Sequence, residues 1–163
     1  MFKQDTHPSA TKGFTLIEVL TVASLIVVLG AIGLMNLAGR RSKVEVETTS
    51  QKMVALLREA QSNSMSQSSS TAWGVRFWNA TATAPFFVMF GGGSYSLAGE
   101  NGRYRLPERV FYASSTLAVG ATKDVVFSQI TGLPNASATV SIVNVGGKIS
   151  STISVSATGL VSF

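Results

Sequence analysis

The sequence predicts an α+β protein: a long N-terminal transmembrane helix packed on a C-terminal antiparallel β-sheet or β-sandwich. Three observations predict it. Residues 14–38 are almost wholly apolar, with Glu18 as their one charge. Residues 40–60 then place apolar side chains at helical spacing among charged ones. After residue 71 the apolar period becomes that of strands. The expected organisation is a leader over 1–13, a helix over 14–66 with its membrane part at about 14–38, and a globular β-domain over 67–163.

An apolar run of about 20 residues is long enough to cross a bilayer as a helix. Its backbone polar groups must then bond internally, which favours helix. A carboxylate inside such a run costs roughly 2.5–3.5 kcal/mol on the lenient insertion scale, so Glu18 calls for a purpose. Gly30, Gly33 and Gly39 weaken the helix by roughly 1 kcal/mol each relative to alanine. Further along, Val46, Met53, Leu56, Leu57 and Ala60 form the stripe expected to carry the globular domain. The polar run SNSMSQSSST has no period and reads as a connector, so the helix should end near residues 63–66.

Trp73, Val75 and Phe77 alternate with Gly74, Arg76 and Trp78, as in a half-buried strand. Phe86 to Phe90 is a continuous apolar run stopped by Gly91-Gly92-Gly93, a turn. Residues 109–112, 124–128, 138–144, 148–156 and 160–163 are further strands, and Gly146-Gly147 marks a hairpin between two of them. Many short strands with turns between them predict antiparallel pairing.

The run Lys12-Gly13-Phe14-Thr15-Leu16-Ile17-Glu18 resembles the N-terminal signal of the type IV pilin-like family, which includes pilins and type II secretion pseudopilins. The resemblance implies cleavage after Gly13 by a prepilin peptidase and N-methylation of the new amino terminus at Phe14. It further implies that Glu18 meets the amino terminus of a neighbouring subunit during assembly. A buried carboxylate beside a buried ammonium is tolerable where either alone is not. LLREAQSNSMSQ, YRLPERVFY and the closing hairpin order are similar to H-type minor pseudopilins and related minor pilins. The family implies a structural subunit, minor pilin or pseudopilin, of a type IV pilus or type II secretion pseudopilus. Its implied partners are the prepilin peptidase and N-methyltransferase, other pilins or pseudopilins, an inner-membrane assembly platform and membrane lipid. The implied location is the inner membrane, single-pass with the C-terminal domain outside the cytoplasm, and then the filament. Lys3 and Lys12 before the apolar run and Arg40, Arg41 and Lys43 after it favour the opposite orientation by charge alone. The motif is taken to overrule that count.

With 163 residues and 45% hydrophobic content, the chain has room for one modest globular domain beyond the helix. Losing Lys3, Lys12 and Asp5 with the leader lowers the net charge from +5 to +4, which is dilute rather than blocked. There is no cysteine, so no disulfide and no thiolate site. The sole histidine, His7, falls in the expected leader. A hydrolytic triad therefore lacks its base, no metal-ligand spacing is present, and no catalytic residue, metal or cofactor is expected. Glu100, Glu108 and Asp124 read as solvated acids.

One cluster invites a binding function. Arg103, Tyr104, Arg105 and Arg109 stand with Phe111 and Tyr112, and cations with aromatic rings can track phosphates and stack bases. If Arg103, Arg105 and Arg109 share a face, the alternative function is a DNA-binding minor pilin of an uptake pilus. A surface adhesin is the other alternative, recognisable by an exposed apolar patch on the β-domain.

Overall fold

A computed structural model describes residues 13–163, and within the helix the side chains of residues 32–39 are not described. The leader expected over 1–13, except Gly13 itself, and His7 with it, lie outside the described residues. The chain divides into two compact units, Met1–Gly39 and Arg40–Phe163.

Helix α1 is Leu16–Met65, but it is not a long apolar helix. Its apolar side chains predominate over 16–31 among those described, and from Arg40 onward charges recur at nearly every turn. Among the described residues no helix is long and apolar enough to cross a membrane. The expected fold class, a long N-terminal transmembrane or filament helix packed on the β-domain, is corrected accordingly. From Arg40 to Met65 the helix is amphipathic, with charged side chains on most of its circumference and a single apolar stripe facing the β-domain. An α+β arrangement describes the second unit, which combines residues 40–65 of α1 with two antiparallel sheets.

In that unit the helical period does its ordinary work. Val46, Thr49, Ser50, Met53, Leu56, Leu57, Ala60 and Ser64 are buried at successive three- and four-residue steps. Two of the three hydroxyls within this stripe are satisfied within the helix, and the third, Ser64 Oγ, accepts from the Trp73 N–H at 2.8 Å. Thr49 Oγ1 donates to the Glu45 carbonyl at 2.7 Å and Ser50 Oγ to the Val46 carbonyl at 3.0 Å.

The first sheet has the order β3-β2-β1-β5, with β1 Trp73–Trp78, β2 Phe86–Gly91, β3 Glu100–Arg105 and β5 Thr122–Phe127. The second has the order β4-β6-β7-β8, with β4 Val110–Tyr112, β6 Ala138–Asn144, β7 Ser150–Val155 and β8 Val161–Ser162. One hydrophobic cluster joins the helix stripe to Val75, Phe77, Phe87, Met89, Val125 and Phe127 of the first sheet. The same cluster takes in Val110, Tyr112, Val140, Ile142, Ile153, Val155 and Val161 of the second. The buried Tyr112 hydroxyl donates to the Phe86 carbonyl at 2.9 Å, tying the sheets together, and burial pushes its pKa far up.

Two polar side chains fasten the helix to the end of the chain. Arg58 Nη2 donates to the Val161 carbonyl at 3.1 Å. Gln61 Nε2 donates to the carbonyls of Gly132 at 2.9 Å and Gly159 at 3.1 Å. Strand β1 also needs a glycine. A Cβ on Gly74 would lie 2.7 Å from the Val125 carbonyl oxygen and 2.9 Å from the Phe90 ring.

Candidate functional site

In the first unit, Gly13 and Phe14 precede the helix in irregular, exposed backbone. The Phe14 ring is 83% exposed, and the space where a Gly13 Cβ would stand is empty to 4 Å. Among the described residues nothing crowds either side chain position at this junction. Thr15 starts α1. Its Oγ1 accepts from the Glu18 N–H at 3.3 Å, and its carbonyl accepts from the N–H groups of Glu18 at 3.1 Å and Val19 at 3.2 Å. Thr15-x-x-Glu18 thus has the spacing of a capping box, a local signal that the sequence reading passed over. The Glu18 carboxylate stands in the first turn, where the helix dipole favours an anion.

Glu18 shares a shallow apolar concavity with Phe14, Val22 and Ile26. Around it Leu16, Ile17, Val19, Leu20, Leu25, Val27, Val28 and Leu29 are all exposed. The hydroxyls inside this segment turn back on the helix. Thr21 Oγ1 donates to the Glu18 carbonyl at 2.9 Å and Ser24 Oγ to the Thr21 carbonyl at 2.8 Å.

In the second unit, the arginine cluster is divided. Arg103 and Arg105 lie on β3, the edge strand of the first sheet, with Tyr104 on the opposite face between them. Arg109 precedes β4 of the other sheet, where its carbonyl accepts from the Val145 N–H at 3.0 Å. Phe111 is exposed, whereas Tyr112 enters the core.

Arg103 is already engaged. Its Nη2 is 2.5 Å from Glu100 Oε1, and its guanidinium lies 4.3 Å from the centroid of the Phe86 ring. The Tyr95 hydroxyl donates to the same Glu100 oxygen. The Tyr95 ring in turn lies 3.7 Å below the Arg76 guanidinium, and Arg76 makes paired bonds of 2.6 and 2.5 Å to Asp124. Trp78 packs on Phe86 and Tyr95 edge-on against Phe90. The outer face of the first sheet is thus roofed by an alternating layer of ions and rings, and beneath it Phe86 and Phe90 are buried.

The electrostatics follow from these contacts. The hydrogen bond to Asp124 raises the Arg76 pKa against a smaller opposing effect of burial. Burial alone would raise Glu100, but bonds from Arg103 and Tyr95 outweigh it and hold the carboxyl below its ordinary range. Burial, and then the bond to Glu100, raises Tyr95. Arg76, Arg103 and Tyr95 are shifted up and Glu100 down, each away from neutrality, so none of these four is poised for proton transfer.

Glu100 and Asp124, expected to be solvated acids, are arginine-paired and only 18% and 28% exposed in their side chains. Arg76, Tyr95 and Asp124 were not singled out as a group. Arg76 and Asp124 stand opposite each other in the β1–β5 register, 48 residues apart in sequence, and pairing of that kind leaves no local signal. Among the described residues no group of three or more potential metal ligands gathers. Comparison of the chain with protein-family models, curated proteins and solved structures finds no match in any of the three.

Proposed function

We propose that the protein is a structural subunit, a minor pilin or pseudopilin, of a type IV pilus or type II secretion pseudopilus. A prepilin peptidase cuts its precursor between Gly13 and Phe14 and methylates Phe14, and the product assembles with other pilins or pseudopilins on an inner-membrane platform. The work is mechanical rather than enzymatic, and the β-domain lies outside the cytoplasm.

The observation that carries this reading is the apolar surface from Phe14 to Leu29, with Glu18 as its single carboxylate. Contiguous apolar surface on this scale marks a site of protein or lipid contact. Covering it with a neighbour would bury Glu18, and a buried carboxylate needs a cation. The amino terminus at Phe14 of a neighbouring subunit supplies one. The capping role of Glu18 uses its backbone and its place in the first turn, so its carboxylate stays free for that partner.

The DNA-uptake alternative gains nothing from the geometry, because Arg103 is held by Glu100 and Arg109 lies beside the other sheet.

The test is incorporation. Glu18→Ala and Glu18→Gln chains should still be cleaved, start at methylated Phe14 by intact mass, and be missing from sheared filaments. Wild-type levels of Glu18→Ala in filaments would sink the assembly role. A mature chain that still starts at Met1 would sink the family reading.

A further inference from the structure

The sheet that carries the ion-and-ring layer ends at β3 with nothing paired to its outer side among the described residues. Such an edge presents unpaired backbone N–H and C=O groups to any extended chain. A register shift opposite Val88 and Met89, with Gly102 at φ +81°, twists the first half of the strand away from regular pairing. Its second half, Arg103 to Arg105, stays regular and exposed.

Beside this open half runs a notch between β3 and α1. Lys52, Phe87 and Tyr104 line it along its length, and Thr49, Arg105 and Pro107 close one end. Its floor is aromatic. Tyr104 stacks on the buried Phe87, with ring centroids 5.5 Å apart and planes at 20°, yet remains 45% exposed. Cations flank this edge on both faces: Lys52 stands beside Tyr104 on the helix side and Arg105 is on the opposite face, both are exposed, and neither enters an ion pair among the described residues. Glu59 stands at the other end. The notch is therefore polarised, cationic at Lys52 and anionic at Glu59.

We propose that this notch receives an extended acidic segment of a partner protein, which adds to β3 as a further strand. Backbone bonds to Arg103 through Arg105 hold the segment, an apolar or aromatic side chain lies on Tyr104 beside Lys52, and carboxylates on the segment's other face meet Arg105. Strand addition of this kind takes affinity from main-chain bonds and specificity from alternate side chains. Charge complementarity selects an acidic segment, since Arg103 is already paired with Glu100 while Lys52 and Arg105, one on each face of the open edge, enter no ion pair among the described residues. Two cations and one ring are a small footprint for a nucleic-acid backbone, which is held by longer basic tracks. The inference does not depend on the filament reading.

The test uses the full chain in detergent with a labelled peptide of about eight residues alternating glutamate and valine, a typical strand length. Its controls are the lysine–valine counterpart and oligo-dT. The acidic peptide should bind more tightly than the lysine counterpart and slow amide exchange at residues 103–105. The double variant Lys52→Glu, Arg105→Glu should weaken it by about tenfold or more, with an unchanged melting temperature because both positions are exposed. Equal binding of acidic and basic peptides, or unchanged binding to the double variant, would overturn the proposal. So would tight oligo-dT binding that the double variant abolishes without protection of the β3 amides, which would assign the notch to nucleic acid.

Discussion

Leu20 and Leu57 belong to the same assigned helix, yet Leu20 is 59% exposed and Leu57 is fully buried. The residues around them explain the difference. Around Leu57, apolar positions fall on one stripe and charges fill the rest of the circumference, so two sheets can cover the apolar part while water takes the remainder. Around Leu20 the apolar residues go all the way round. No single face can be presented to a sheet, and covering such a segment takes neighbours on several sides. Helical propensity is shared by both regions; what separates them is where their cover comes from.

The sharpest break of this comparison is a matched pair of truncations. Leu57→Ala should lower the unfolding free energy by about 2–5 kcal/mol, the range for leucine removed from a packed core. Leu20→Ala should leave the same urea transition where it was. A loss of comparable size from Leu20→Ala would mean that the first region is covered within the chain. Next in size, Arg76→Ala leaves Asp124 partly buried without its bidentate partner and uncovers Tyr95. A loss of about 1.5–3 kcal/mol is expected, read from the chemical denaturation midpoint. Gly74→Ala tests the packing beneath that layer, and forcing a methyl against the Val125 carbonyl should cost about 1–3 kcal/mol in the same assay.

The smallest effect is on pH dependence. The Glu100 carboxyl lies below its ordinary value of about 4.3 in the folded state. Its contribution to stability is therefore fully present above that value and is lost as pH falls through its own lower one. Melting temperatures of wild type and Glu100→Gln, followed from neutrality down past about pH 4, should converge at the acidic end. A gap independent of pH would show that the carboxylate charge is not what holds the layer.

Much of the β-structure was legible because burial writes a period into the chain. Strand β1 alternates, β2 is continuous and apolar, and β7 alternates with serines and threonines. Strand β3 was missed for the converse reason: Glu-Asn-Gly-Arg-Tyr-Arg is exposed almost throughout, and only its pairing with β2 makes it a strand. The stripe from Val46 to Ala60 was legible as the seam of the domain. The first part of the helix was read as a membrane span from its apolar run and the motif at its start, and the described residues do not bear that out. At the arginine cluster, composition showed which charges were close in sequence. It could not show that Glu100 and Phe86 take Arg103, or that Arg109 goes with the other sheet.

The bonds from Arg58 and Gln61 to the last hairpin have a consequence for biosynthesis. Arg58 and Val161 are 103 residues apart, and Gln61 and Gly159 are 98 apart. A chain leaving the ribosome exposes the apolar stripe of the helix early and completes its cover only when β7 and β8 have emerged. Contacts this distant in sequence form slowly, and unpaired strands in the interval invite aggregation. The helix stripe of this domain therefore gains its full cover only once β7 and β8 are available to pack on it.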